Sequence, residues 1–307
     1  MGDALEAAHG RRSIAAVMTL NAPAKVNLVL EVLARRDDYH EISSILQPVD
    51  LFDTLTFEHA REIEFSCTES TLLPDNLVKR AAHAMRHACG VRKGARIHLE
   101  KRIPWAAGLG GGSSDAAAAL RGLNVLWQTG LSTDRLVELA RSLGSDVPAF
   151  IHGGTVLVSG RGDKVAAAPP LARTHLVVLV PDVQVPAEKT GTLYNSLQPR
   201  VFTDGRHTGN AVESLHGSGC VPDVLLFNVF ETVMNDCFPG IEREAERLRA
   251  VSGSEVHLAG SGPALFVRFE TVEQATFAAA TLQQERARVY VVESIDTDDA
   301  RLMLRAT

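Results

Sequence analysis

The sequence predicts a mixed α+β protein. Short stretches of alternating apolar and polar residues recur in pairs joined by glycine or polar turns, the signature of β-hairpins. Amphipathic stretches of helical period lie between them in irregular order, without the regular strand–helix alternation of a parallel sheet. With 307 residues, 45% apolar and 22% charged, the chain can bury a full core and has the length of one large domain or two ordinary ones.

Taken in order, residues 1 to about 14 read as a loose tail. "IAAVMTLNAPAKVNLVLEVLAR" reads as strand, short turn at "NAPAK" and strand, with Val26, Leu28, Leu30 and Val32 on one face and Asn27, Val29 and Glu31 on the other. "DTLTFEHA" and "REIEFSCTE" are further β-rich segments, and "NLVKRAAHAMRHACG" is an amphipathic helix stopped by Gly90. "ARIHLEKRIPW" is a strand, followed by a glycine loop and a helix through Trp127. "STDRLVELARSLG" is a helix with Ser132 or Thr133 as cap and Gly144 at its end. "GGTVLVSGRG" is a strand into a turn, "KVAAAPPLAR" a surface connection, and "THLVVLVPDV" a buried strand. Residues 197–222, rich in Gly, His, Ser and Pro, read as a long loop. A helix from about Val224 to Cys237 precedes "IEREAERLRAVSG", and "EVHLAGSGPALFVRF" is strand, glycine turn and strand. A helix around "VEQATFAAATLQQER" and the strand "RVYVVES" finish the series.

The formal charge of −6 supplies no basic surplus for nucleic acid. Cys67, Cys89, Cys220 and Cys237 form neither a C-x-x-C pair nor a zinc spacing, and read as thiols of a reducing compartment. The first twenty residues make a poor signal peptide, and Asn21, Pro23, Lys25 and Asn27 interrupt the best apolar run. A cytoplasmic protein with no membrane attachment and no obligate protein partner is therefore expected.

"PWAAGLGGGSSDAAAAL" is the stretch that carries chemistry. Gly108, Gly110, Gly111 and Gly112 open a helix, so several backbone N–H groups and the helix N-terminus face outward together, which makes an anion site. The alternative, a turn with a serine cap and no ligand, needs one glycine and not four. No Lys-Ser or Lys-Thr follows, as a Walker loop requires, and Ser113 stands where the dinucleotide fingerprint has its last glycine.

This stretch is similar to the P-x-x-x-G-L-G-[GS]-S-[SA] phosphate loop of the GHMP small-molecule kinases. "APAKVNL" resembles the first motif of that family and "LAGSGPALFV" the third, in the expected order. Finer stretches, "RRDDYHEISSILQPVDLFDTL", "LGSDVPAFIHGGT" and "GRGD", resemble the member that phosphorylates the 2-hydroxyl of a cytidyl diphosphate polyol in the non-mevalonate route to isoprenoids. The likeness runs from about Ala22 to Phe266. It implies a two-lobed fold, a ribosomal protein S5 domain 2-like N-terminal lobe and a ferredoxin-like C-terminal lobe, with an ATP-binding domain over 15–165 and a second domain over 166–307. It also implies ATP as phosphoryl donor, Mg²⁺ bridging its phosphates, and a small-molecule cytidyl diphosphate acceptor.

The resemblance assigns the triphosphate to Pro104, Trp105, Ala106, Ala107, Gly108, Leu109, Gly110, Gly111, Gly112, Ser113 and Ser114. Asp146 in "LGSDVPAF" becomes the base, placed just past a helix end where a loop can aim it into a cleft; the weaker reading is an Asp turning the chain before Pro148. Lys25 becomes the cation that lowers the pKa of Asp146 and polarises the acceptor hydroxyl, where alone it would be a solvated lysine. Asn27 is in line to bond substrate or Asp146, and Tyr39 and His40 become the cytosine readers. Two departures touch that pocket: Asp38 stands where the family has glycine, and Tyr194, the expected second aromatic, comes a few residues late. Gly260, Ser261 and Gly262 should close the site, although as a bare pattern they are a hairpin turn. No metal-ligand set is expected: His83 and His87 lack the Glu of a metalloprotease helix and read as a solvated face, and Asp236 and Cys237 have no partners in spacing. The pair Lys101 and Arg102 reads first as a solvated strand end, and second as the lining of a nucleotide entrance. Kinases of homoserine, mevalonate or a sugar, and a module that holds ATP without transfer, are the competing readings.

Overall fold

The computed structural model describes residues 17–37, 39–72, 74–283, 287–299 and 305–306; the expected tail over 1–14 and Asp38 lie outside them. The first sheet is built on one long hairpin of β1 (Met18–Arg35) and β2 (His40–Ala60), paired from Met18↔Phe57 to Arg35↔His40. β3 (Ile63–Cys67) and β4 (Gly94–Glu100) extend it beyond β2, with α1 (Leu77–Cys89) between them. The chain then runs through α2 (Gly111–Leu126), α3 (Thr133–Arg141), α4 (Val147–His152), β5 (Val156–Gly160) and β6 (Lys164–Ala167), the last two paired at the far end of β2. The helices cover one face of this sheet, where Phe57 and Ile97 meet Met85 of α1 and Leu120 and Leu123 of α2. A Cβ at Gly122 would come within 2.7 Å of the Phe57 ring, so α2 needs glycine there to lie this close.

The second sheet has the order β11 (Arg288–Glu293), β7 (His175–Val180), β10 (Leu265–Phe269), β9 (His257–Leu258), all antiparallel. Between β7 and β9 come α5 (Lys189–Ser196), α6 (Arg206–Ser218), the two-residue β8 (Phe227–Asn228), α7 (Met234–Cys237) and α8 (Ile241–Ser252), and α9 (Val272–Leu282) lies between β10 and β11. A third apolar cluster joins the sheets: Ala24, Val26 and Leu28 of β1 pack with Leu176 and Val178 of β7 and Phe266 of β10. β12 (Arg305–Ala306) pairs with the start of β1. No described helix is long and apolar enough to cross a membrane.

Four segments differ from the sequence reading. "NAPAK" is no turn: β1 runs straight through it, with a register shift between Pro23 and Ala24 that absorbs the missing proline N–H. The alternation that made Asn27 and Glu31 a polar face also fails, since both are buried. Glu31 explains the second difference, α6 in the expected loop. Its carboxylate accepts from Thr208 N at 2.8 Å and Thr208 Oγ1 at 2.6 Å, which anchors the helix N-terminus by charge and hydrogen bond while Ala211 and Leu215 are buried. The expected helix over 224–237 is reduced to short turns, β8 and α7. Asn228 breaks it by accepting from Phe230 N and donating to Leu258 O and Gly260 O, both at 2.8 Å. Finally, "KVAAAPPLAR" opens with β6, a strand paired to β5.

Candidate active site

The first sheet, the glycine loop, α5 and the turn at Gly260 bound a cleft of about 730 Å³. The glycine loop forms one wall. Gly108 and Gly110 have φ of +86° and +73°, where a side chain is strained. Both also admit close neighbours: a Cβ on Gly108 would strike Ala259 O and Gly262 N, and one on Gly110 would come within 2.9 Å of Lys25 Cγ and the Phe150 ring. Gly112 is different, because an added Cβ there would meet only Leu77 Cδ1 at 3.8 Å. The packing of the protein does not call for that glycine, whose amide opens α2 beside the cleft.

The loop is pinned to β1 by Lys25 N donating to Leu109 O at 2.9 Å, and to the hairpin over 259–264 by Ala264 N donating to Ala107 O at 3.0 Å. Gly260 has to be glycine, since a Cβ would run into Lys25 Nζ and lie 2.8 Å from Gly108 O. Sequence segments about 25, 108 and 260 thus meet in van der Waals contact. Lys25 is 5% exposed, lying within a strand and not in a turn. Its Nζ donates to Asn27 Oδ1 at 2.6 Å, Asn27 Nδ2 donates to Ser44 Oγ at 2.8 Å, and Ser44 Oγ donates to Val29 O at 2.6 Å. This chain fixes the ammonium at the cleft floor. Desolvation lowers the pKa of Lys25, and the charge of Asp146 opposes that shift.

Asp146 precedes α4 in the N-cap position, but its side chain caps nothing and faces the cleft. The opposite wall is α5. Tyr194 stacks on His40 with ring centroids 4.8 Å apart and packs edge-on against Phe230 at 4.9 Å. Burial, reinforced by Asp146, pushes the Tyr194 hydroxyl up to about 12. Burial, reinforced by Arg35, lowers His40 and favours a neutral imidazole.

Most of the residues singled out in the sequence converge here: Lys25, Asn27, the loop from Pro104 to Ser113, Asp146, Tyr194, Gly260 and Ser261 line one cleft. Gly262 stands just behind, its carbonyl accepting from Lys189 Nζ. Ser114 is turned away: its buried hydroxyl has no partner and borders a small cavity behind α2. Tyr39 does not line the cleft and instead carries Arg161 over its ring, 5.1 Å from the centroid. His83 and His87 are exposed on α1, as read.

Two features were missed. Lys101 is no solvated strand end; its side chain is 6% exposed and its ammonium pairs with Asp53 and, at 2.8 Å, with Asp115. Asp53 also accepts from the backbone N–H groups of Arg102 and Ile103, whereas the second oxygen of Asp115 has no partner. Burial is the larger cause that pushes Asp115 up to about 8, with Asp53 adding to it and Lys101 opposing. Lys101 itself is raised, Asp115 and Asp53 together outweighing its desolvation. The adjacency of Asp115 to the glycine-serine run was a signal for part of this triad; Asp53 gave none. The second missed residue is Lys189, half-buried at the head of α5.

Known proteins are similar to this chain along most of its length. Residues 76–154 match the family described as GHMP kinases N terminal domain. A 4-diphosphocytidyl-2-C-methyl-D-erythritol kinase of Dehalococcoides mccartyi is 40% identical over 281 residues, covering 91% of this chain and 99% of that one. The enzyme of the same name from Enterococcus faecalis is 37% identical over 282 residues, covering 89% and 98%. A crystal structure of 4-(cytidine 5'-diphospho)-2C-methyl-D-erythritol kinase superposes with a TM-score of 0.77 at 35% identity, over 90% of this chain and 98% of that one. Homoserine kinase from Cytophaga hutchinsonii shares the fold, with a TM-score of 0.72 at 19% identity over 93% and 96%. The chain belongs to the GHMP kinase family, in the group of the 4-diphosphocytidyl-2-C-methyl-D-erythritol kinases.

Proposed function

We propose that this enzyme transfers the γ-phosphoryl group of ATP to the 2-hydroxyl of 4-diphosphocytidyl-2-C-methyl-D-erythritol, giving ADP and the 2-phosphate, a step of non-mevalonate isoprenoid precursor synthesis. The observation that carries the reading is the convergence of Lys25 and Asp146 on a cleft walled by the glycine loop on one side and by Tyr194, with His40 stacked on its ring, on the other. The loop from Pro104 to Ser113 would cradle the triphosphate with backbone amides and the N-terminus of α2. Ser114, turned away from the cleft, would serve through its backbone alone.

Asp146 is the base. Its carboxylate takes the proton of the 2-hydroxyl as that oxygen bonds to the γ-phosphorus and the bond to the β-phosphate oxygen breaks. Lys25, whose ammonium is favoured by the charge of Asp146, faces the charge that builds on the transferring group. His40 and Tyr194 would hold the cytosine, Tyr39 and Asn27 would complete the acceptor side, and Gly260, Ser261 and Gly262 would close it. Cytosine between the rings requires His40 and Tyr194 to part, since they touch in the free protein.

Mg²⁺ enters as a partner of the nucleotide phosphates, whose charge it would neutralise. Among the described residues no cluster of three or more His, Cys, Asp or Glu could hold an ion, and Ser113 offers one hydroxyl at the cleft. That set suits an ion that keeps most of its ligands from phosphate and water. The same reading places the enzyme in the cytoplasm without an obligate protein partner, and divides it into an ATP-binding domain over 15–165 and a C-terminal domain over 166–307, a line that β6 crosses by two residues.

The test is ADP release with ATP and Mg²⁺ and, in turn, the cytidyl acceptor, homoserine, mevalonate and galactose. Turnover with the cytidyl acceptor alone is expected. Turnover with a different acceptor would overturn the substrate, and ATP binding without turnover on any would overturn the reaction.

A further inference from the structure

Lys189 opens α5, and its ammonium ties two glycine-rich segments together. Nζ donates to Ala106 O of the glycine loop at 2.9 Å and to Gly262 O of the hairpin. Beside it, Thr190 Oγ1 stands 3.4 Å from Ser261 Oγ, which seats the helix on the same hairpin. Two of its three N–H bonds thus go to neutral carbonyls, and the side chain lines the cleft. The charged groups facing it are Lys25 on β1, which repels, and Asp146 before α4, which attracts. Tyr194 lies on the same helix, and Lys101 with Asp115 lines the cleft from the far wall. Asp146 is therefore shared between two ammonium groups, and Lys189 is short of a counter-charge.

We propose that Lys189 binds a phosphate of the bound nucleotide, as a second cleft ammonium beside Lys25 that its bonds to the glycine loop and the hairpin already hold in place. The proposal rests on the kinase reading above. Burial first, and then repulsion by Lys25, brings Lys189 down to about 7, with Asp146 opposing. A phosphate supplies the absent counter-charge and favours the protonated form, so binding at pH 8 draws a proton onto Lys189. The sign follows: the free protein is charged at Lys189 below pH 7 and binds well, and above that affinity declines by at most tenfold per pH unit until it reaches that of a protein neutral at Lys189. The anion comes either from the adenine nucleotide or from the cytidyl acceptor, and ADP and CDP used separately distinguish the two.

The experiment is titration calorimetry of ADP and of CDP, each with Mg²⁺, in two buffers of different ionisation enthalpy, at pH 6 and pH 8. Wild type, Lys189→Arg and Lys189→Met are compared, with thermal melts to establish folding. For at least one nucleotide, wild type should take up about one proton more at pH 8 than Lys189→Arg, whose guanidinium stays charged. Lys189→Arg should keep its affinity at pH 8. Lys189→Met should bind about tenfold or more weakly at pH 6, having lost a charge-assisted hydrogen bond to phosphate. Equal proton uptake in all three proteins, or Lys189→Met binding as tightly as wild type at pH 6, overturns the proposal. Weakening of Lys189→Met by the same factor at both pH values with uptake retained also overturns it, because that is a purely structural clamp. Failure of folded wild type to bind either nucleotide overturns the kinase reading instead.

Discussion

The two walls of the cleft are made in opposite ways. The glycine-loop wall is one run of sequence, Pro104 to Asp115, whose backbone turns at Gly108 and Gly110 and then opens α2. The α5 wall is assembled from segments that never meet in the sequence: Tyr194 on α5, backed by His40 of β2, with Phe230 after β8 and Gly260 in a hairpin. The first wall offers backbone N–H groups, and the second offers rings and ammonium groups. A polyphosphate needs only repeated donors at fixed spacing, which one loop supplies. A base needs flat surfaces brought from several directions, which only the tertiary fold supplies.

The largest expected effect falls where the walls meet. Asp146→Asn should lower kcat about 10²- to 10⁴-fold, the span of a general base, while calorimetric nucleotide affinity stays within a few-fold of wild type. Turnover within threefold of wild type would remove Asp146 from the chemistry and leave the two walls without a shared centre. Next comes the support of the loop wall. Lys101→Met leaves Asp53 and Asp115 buried without their cation and should cost about 3–5 kcal/mol of unfolding free energy in urea melts. A loss below about 1 kcal/mol would mean that the loop wall stands without its triad.

A smaller effect should separate the walls. Tyr194→Ala removes one face of the ring stack, worth about 1–1.5 kcal/mol, and should raise KM for the cytidyl acceptor about tenfold with KM for ATP unchanged. Tyr194→Phe should restore it. If both KM values rise together, the walls are one cooperative unit and the contrast fails.

Legibility in the sequence followed the same division. The loop, its helix and the cap at Ser132 are local, so residue type and spacing sufficed. Lys25 and Asp146 were picked out through likeness to family motifs; by their own neighbourhoods they read as a surface lysine and a turn. The misreadings were polar residues whose partners lie far along the chain. Glu31 holds α6 from 177 positions away, and Asn228 holds Gly260 from 32. Lys101 looked solvated because Asp53 stands 48 residues off. A polar residue in an apolar strand reads as surface until the fold shows what it bonds, and Glu31 is the clearest case.

The smallest effect bears on why the loop wall carries an acid at all. Asp115 and Asp53 share the one ammonium of Lys101, and Asp53 is the better served, with two backbone donors besides. Asp115 therefore keeps its proton to about 8, far above the ordinary carboxylate value. The folded state binds this proton and the unfolded chain has released it, so the contribution of Asp115 is fully present below the unfolded value. It is lost progressively as pH rises from about 4 towards about 8, and is flat beyond. Asn cannot ionise and matches the shape of the protonated acid. Asp115→Asn should accordingly stay within about 1 kcal/mol of wild type at pH 5, in contrast to Lys101→Met. Its stability relative to wild type should then improve as the melts move to pH 8. A constant difference across that range would mean that Asp115 is ionised throughout, and that the loop wall carries a buried negative charge beside the place proposed for the triphosphate.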